Sequence, residues 1–199
     1  MKTRHGEMGD RIMVLFVNGC VRENSRTLEL AQAVLEGVTD AVEEVRLYPN
    51  GAEGLDGEKL RCRDTLLRAG KYDDPMFDAA RQFAAADMIV MAAPYWDLAF
   101  PAKVRAYLEE ITVSGITFRY GADGIPKGLC NAKRLVYVTT AGGPILQDFG
   151  FAYVKALAHG FYGIGDVALV KAEGLDIWGA NAAEILEQAK KGVSEIIKA

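Results

Sequence analysis

The sequence predicts a three-layer α/β protein: one doubly wound sheet of five parallel strands with helices on both faces. Three observations carry this. Short apolar, β-branched runs recur along the chain, the pattern of strands buried on both faces. Amphipathic helical stretches alternate with those runs, which calls for parallel crossovers rather than hairpins. The composition is that of ordinary globular protein, 50% apolar and 25% charged over 199 residues, so one domain with a sizeable core is expected.

Ile12 to Val17 is a continuous apolar run and reads as the first strand. Ser25 to Val38 follows as a helix, with Leu28, Ala31, Leu35 and Val38 on one stripe. Val42 to Leu47 is a short second strand, and Pro49 to Gly57 a glycine-rich loop. Glu58 to Ala69 has the polarity of a surface helix. Asp74-Pro75 has the form of an N-cap followed by proline at the first helical position, with Phe77, Ala80 and Ala84 as the stripe behind it. Asp87 to Ala93 is the third strand of the sheet. The next helix carries Val104, Tyr107, Leu108 and Ile111 at helical spacing. Arg134 to Thr140 is the fourth strand, Phe149 to Phe161 a helix, and Asp166 to Ala172 the fifth strand. The last helix, Ala180 to Ile197, is expected to bury Ala182, Ile185, Leu186, Ala189, Val193 and Ile196. Five strands in this alternation point to the flavodoxin-like order 2-1-3-4-5. The chain reads as a single domain over residues 1–199, with 1–10 as a flexible N-terminal extension.

Composition excludes several function classes. There are 27 acidic and 23 basic residues, a net charge of −4, so no general attraction to nucleic acid or to an anionic membrane is expected. The apolar run from Ile12 is too short for a signal-peptide core or a membrane span, which predicts a soluble, cytoplasmic protein without membrane insertion. Cys20, Cys62 and Cys130 are odd in number and far apart, and the only histidines are His5 and His159. That pattern argues against a zinc site or a disulfide framework. His159, alone and without partners, reads as a packing or surface residue.

In such a sheet the loops after the first, third and fourth strands gather at the carboxyl edge, where open α/β sheets bind ligands. The first runs Asn18-Gly19-Cys20-Val21-Arg22-Glu23-Asn24-Ser25-Arg26-Thr27 into a helix N-terminus, a place suited to a phosphate. Ser25 and Thr27 add hydroxyl donors, with Asn24 and Arg26 beside them; Ser25 is equally placed to cap the helix. Neither Gly-x-x-x-x-Gly-Lys-Ser/Thr nor Gly-x-Gly-x-x-Gly is present there. A loop of hydroxyls and amides fits a terminal phosphate ester better than a pyrophosphate. The second loop, Pro94-Tyr95-Trp96-Asp97-Leu98-Ala99-Phe100-Pro101, puts two aromatic rings and a carboxylate at a strand end. An aromatic cluster sealing the sheet and a platform for a flat ligand are both open readings. The third, Thr139-Thr140-Ala141-Gly142-Gly143-Pro144, lets backbone N–H groups approach a planar ligand, and is also a common turn composition.

Taken together these segments resemble a known group. The chain is similar to the flavodoxin-like NAD(P)H:quinone oxidoreductase and FMN-dependent azoreductase family. The densest match runs from Met88 to Gly143, where the apolar strand, the Ala-Pro-aromatic loop, Gly115-Ile116-Thr117-Phe118-Arg119-Tyr120-Gly121 and the Thr-Thr-Ala-Gly-Gly turn occur in family order. The resemblance implies non-covalent FMN rather than FAD, NADH or NADPH as electron donor, and a homodimer with its sites at the interface. It implies that Ser25 and Thr27, with Cys20 and Arg26 nearby, hold the flavin phosphate. Pro94, Tyr95, Trp96, Asp97 and Leu98 would line the isoalloxazine edge, and Thr140, Ala141, Gly142 and Gly143 would face its pyrimidine end. Trp96, Phe118 and Tyr120 would wall the substrate pocket. Two departures stand out: Asp97 occupies a place where azoreductases often have Asn, and Cys20 lies near a place where members often have Ser.

The activity this implies is a ping-pong transfer of hydride from a nicotinamide, through the flavin, to a small quinone, azo or nitro acceptor, with no catalytic side chain required. Three other uses of the same flavin site are an electron carrier, an ancillary regulatory flavoprotein and a flavin reductase. A receiver-like signalling domain ranks last, because Asp10 has no acidic partner and phosphoacceptor in the expected places.

Overall fold

In a computed structural model, residues 13–198 are described. The expected strand start at Ile12, the extension 1–10, His5 and Asp10 lie outside them. Seven strands appear: β1 (Met13–Asn18), β2 (Ala41–Arg46), β3 (Met88–Ala92), β4 (Phe118–Tyr120), β5 (Pro126–Gly128), β6 (Arg134–Thr140) and β7 (Asp166–Ala172). The helices are α1 (Arg26–Glu36), α2 (Gly57–Arg68), α3 (Asp78–Ala85), α4 (Ala102–Ile111), α5 (Phe149–Leu157) and α6 (Ala182–Lys198). A 3₁₀ turn, Pro75–Phe77, leads into α3, and a π-helical turn, Ala158–Tyr162, prolongs α5.

The main sheet has the order β2-β1-β3-β6-β7, which is 2-1-3-4-5 counted over its own strands, as the sequence predicts. Every pairing in it is parallel. The alternation of side chains sorts the core into two layers. Val14, Phe16, Val90, Ala92, Val136 and Val138 face Leu30, Ala31 and Val34 of α1 and Leu186 and Val193 of α6. Leu15, Val17, Ile89, Met91 and Leu135 face Phe83 of α3, Val104, Leu108 and Ile111 of α4, and Val154 of α5. Both faces of the central strands are therefore apolar, which is why these strands read as unbroken hydrophobic runs. The edge strand β2 is the exception: Val42, Glu43 and Glu44 are exposed, and charge on an edge strand discourages pairing with another chain.

Two details depart from the sequence reading. In α3 the buried stripe is Ala80 and Phe83, whereas Ala84 is half-buried, because the buried positions continue from Phe77 at a spacing of three. The segment 115–130 forms an antiparallel hairpin, pairing Phe118 with Gly128 and Tyr120 with Pro126. Strands of three residues are too short to show a period. Gly128 packs against the backbone of the π-helical turn, so close that a Cβ there would lie 2.1 Å from the carbonyl carbon of Tyr162.

Candidate functional site

Register decides where the site forms. Asn18, Ala92, Val138 and Val170 lie level with one another across the sheet. The chain leaves β1 and β3 at this height and β6 and β7 two residues further on, and backbone hydrogen bonds stitch the exits together. Gly19 donates to the Ala92 carbonyl at 2.8 Å, Ala93 to Val138 at 2.9 Å, Tyr95 to Thr140 at 3.1 Å and Ala141 to Ala172 at 2.9 Å.

A cleft of about 120 Å³ opens between these loops, lined among others by Arg22, Asn24, Ser25, Thr27, Trp96 and Gly142. Ser25 caps α1, accepting from the Leu28 N–H at 3.3 Å. That bond uses an oxygen lone pair and leaves the hydroxyl proton free to donate. The N–H groups of Arg26 and Thr27, in the first helical turn, have no acceptor among the described residues, and the helix dipole there also favours an anion. Thr27 is buried, and its hydroxyl is 2.6 Å from that of Thr140. This bond joins the first loop to the third across the floor of the cleft.

The second wall is the Trp96–Ala99 turn, closed by reciprocal backbone bonds of 3.3 and 2.8 Å. Asp97 and Leu98 have φ of 49° and 67°, the signature of a mirror-image turn usually built with Asn and Gly. Left-handed backbone at a β-carbon-bearing residue costs about 1–2 kcal/mol. Their N–H groups, like those of Gly142 and Gly143, donate to no other described residue, so four backbone donors stand free on two facing loops. Tyr95 holds its own loop by donating its hydroxyl to the Gln147 carbonyl at 2.7 Å.

The third wall is braced by a segment that the sequence reading did not single out. Gly174, Leu175 and Asp176 donate to the carbonyls of Gly143, Ala141 and Gly142. Arg26 grips the same segment, donating to the Leu175 carbonyl at 3.1 Å and pairing with Asp176 at 2.8 Å. A Cβ on Gly142 would sit 2.3 Å from Asp176 Oδ2, so a larger residue there would have to push the Asp176 carboxylate aside and disturb its pair with Arg26. The signal was available in Glu173-Gly174-Leu175-Asp176, a turn composition directly after the fifth strand.

The structure thus brings Ser25, Arg26, Thr27, Pro94, Tyr95, Trp96, Thr140, Ala141 and Gly142 to one cleft, with Asp97, Leu98 and Gly143 on the adjoining turns. Cys20 lines a neighbouring depression with Asn18, Arg46 and Tyr48, and burial pushes its thiol up to about 11, keeping it neutral. Phe118 and Tyr120 are elsewhere. Their hairpin adjoins the residues that enter β6 and β7, at the amino edge, a strand's length or roughly 15–20 Å from the cleft. Phe118 is buried there, 4.9 Å from Phe161 and 5.3 Å from Tyr120 between ring centres. Tyr120 itself is 58% exposed.

A family model described as flavodoxin-like fold matches residues 13–197. A protein of Clostridium perfringens named FMN-dependent NADH:quinone oxidoreductase is 40% identical, over 92% of this chain and 96% of its own. One of Clostridium acetobutylicum, with the same activity in its name, is 32% identical over 93% and 98%. In three dimensions the chain is similar to an azoreductase from Bacillus anthracis, with a TM-score of 0.81 at 24% identity, covering 94% of this chain and 98% of that one. An FMN-dependent NADH-azoreductase from the same species, solved in complex with FMN, gives 0.78 at 22% identity. The chain belongs to the flavodoxin-like family that contains the FMN-dependent NADH:quinone oxidoreductases.

Proposed function

We propose that this chain is an FMN-dependent NAD(P)H oxidoreductase that reduces quinone or azo compounds. The observation that carries the reading is the convergence of an unpaired helix N-terminus and two loops with free backbone donors on one carboxyl-edge cleft. The residues present fit the cofactor. Ser25, Thr27 and the first N–H groups of α1 form an anion cradle suited to one phosphate ester. The free donors of 97–98 and 142–143 lie on turns that adjoin the cleft, where a flat polar ring would extend from the phosphate. When bound, FMN supplies the redox chemistry, taking hydride from the nicotinamide and passing electrons to the acceptor. The chain's own task is to orient that ring, to offer N–H donors where negative charge grows on reduction, and to leave one face open for donor and acceptor in turn.

A cleft of about 120 Å³ is large enough for the phosphate end, well below the 300–1,000 Å³ typical of a closed ligand site. We take the exposed apolar side chains of the adjoining loops, Trp96, Leu98, Leu146, Phe149, Ile177 and the fully exposed Trp178, as the surface that carries the rest of the ring. A second apolar patch, Tyr120, Ile125 and Leu129, lies on the hairpin. Two unlike patches on one chain are satisfied twice when two copies meet about a two-fold axis. On this reading the enzyme is a homodimer, and the Tyr120 hairpin of one copy closes the cleft of the other, completing the substrate pocket with Phe118 behind it. No helix among the described residues is long and apolar enough to cross a membrane, and three free cysteines suit the reducing cytoplasm.

The test is direct. Purified protein is expected to be yellow, to release FMN on denaturation, and to oxidise NADH or NADPH with a quinone and no protein partner. Colourless protein that gains no activity from added FMN overturns the reading. Activity only with a partner protein would turn it into an electron carrier.

A further inference from the structure

A second and larger cavity, of about 490 Å³, lies between α2, the loop 50–55, the 3₁₀ turn and α4. It falls within the usual volume of a small-molecule site and shares no lining residue with the cleft. The cavity exists because α2 does not pack down. That helix buries none of its own residues. It is held at its C-terminal end, by Leu66 and Leu67 against the small cluster of Phe77, Ala80 and Val113. Arg63 adds a tie, donating to the carbonyls of Glu109 at 3.2 Å and Thr112 at 3.4 Å. The N-terminal half of α2 therefore bridges the space, over a floor that includes Val45, Leu47, Phe77 and Tyr107.

Four charged residues line the cavity, and three are already engaged. Lys59 pairs with Glu53 at 2.8 Å. The terminal nitrogens of Arg63 are spent on backbone carbonyls. Glu110 is different: half-buried, it has no hydrogen bond or ion pair with a described residue, and burial holds its carboxyl above the usual carboxylate range. A desolvated charge without a partner is costly. An arriving anion would meet two carboxylates, Glu53 and Glu110, and could take only the buried Nε of Arg63 without breaking a bond already made, whereas an arriving cation meets a carboxyl that has nothing to give up.

We propose that this cavity is a second small-molecule site, separate from the flavin cleft, that takes an apolar monoamine, its ammonium against Glu110 and its hydrocarbon body on Val45, Leu47 and Phe77. Three probes with one body separate the charge types: phenethylamine, phenethyl alcohol and phenylacetate, titrated calorimetrically into the full-length, flavin-loaded protein. Phenethylamine is expected to bind tightest. Glu110→Gln should weaken it by roughly tenfold or more while leaving the alcohol unchanged. Ala79→Leu, which fills the cavity from α3, should weaken all three. Flavin affinity should stay the same in both variants, so a failure here is distinct from a failure of the flavin reading. Phenylacetate binding as well as the amine, amine binding indifferent to Glu110→Gln, or no binding of any probe would overturn the proposal.

Discussion

The two ends of the sheet are built to opposite rules. At the amino edge the chain spends its aromatics on packing: Phe118 is buried between Phe161 and Tyr120, and the hairpin is pressed onto the π-helical turn at Gly128. At the carboxyl edge the aromatics are left in the open, with Trp96 41% and Trp178 100% exposed. The backbone there holds two left-handed residues in succession and leaves N–H donors free. Strain and unsatisfied donors persist where the surroundings over-determine them, which is characteristic of ligand sites. The amino edge is built on packing, with Tyr120 left exposed for the other copy of the proposed dimer, and the carboxyl edge on free donors and strained backbone.

The largest expected effect probes the amino edge. Phe118→Ala should cost about 3–5 kcal/mol in urea unfolding, as for other buried phenylalanines. Its neighbour Tyr120→Ala should stay within about 0.5 kcal/mol of the parent and yet lower quinone turnover, because its ring serves the other copy. A small loss for Phe118→Ala would break the contrast between the edges, and unchanged turnover for Tyr120→Ala would remove the hairpin's proposed role in the other copy's site.

At the carboxyl edge, Ser25→Ala combined with Thr27→Ala should weaken FMN by roughly tenfold or more, since hydrogen bonds to charged groups are worth about 1.5–3 kcal/mol. Riboflavin, which lacks the phosphate, should be affected far less, and equal losses would remove the phosphate assignment. Stability should fall by about 1 kcal/mol for the lost cap and by about 1–3 kcal/mol more because the buried Thr140 hydroxyl loses its Thr27 partner.

Leu98→Gly sharpens the same comparison. Relief of about 1–2 kcal/mol of left-handed strain, less about 0.5–1 kcal/mol for glycine's greater chain entropy, leaves a stability gain of up to about 1.5 kcal/mol. Flavin titration should show weaker binding as the turn loosens. A variant both less stable and equal in affinity would mean that the turn stores no strain for function.

The smallest effect concerns Glu110. Burial raises its carboxyl in the folded state, so the folded protein holds the proton at pH values where the unfolded chain has lost it. Stability then declines as pH rises through that interval, starting from the ordinary carboxylate value. Glu110→Gln removes the dependence. It should match the parent in acid and be slightly more stable at neutral pH, read from unfolding midpoints across pH.

Much of this was legible beforehand because its cause is local. The apolar period of β1, β3, β6 and β7, the Ser25 cap and the stripe on α4 are properties of neighbouring residues, whereas the alternation of strands and helices suggested the strand order without fixing it. The three loops could be named because each directly follows a strand. Tertiary structure alone decided how those loops meet. The hydroxyls of Thr27 and Thr140 touch across 113 positions of sequence, and the 174–176 segment braces Gly142 and is held by Arg26. It also carried Phe118 and Tyr120 to the opposite edge from the loops they were grouped with, and held α2 off the sheet to leave a cavity. None of these follows from periodicity. Each is a contact between distant segments, fixed when the apolar faces of separate elements find one common packing.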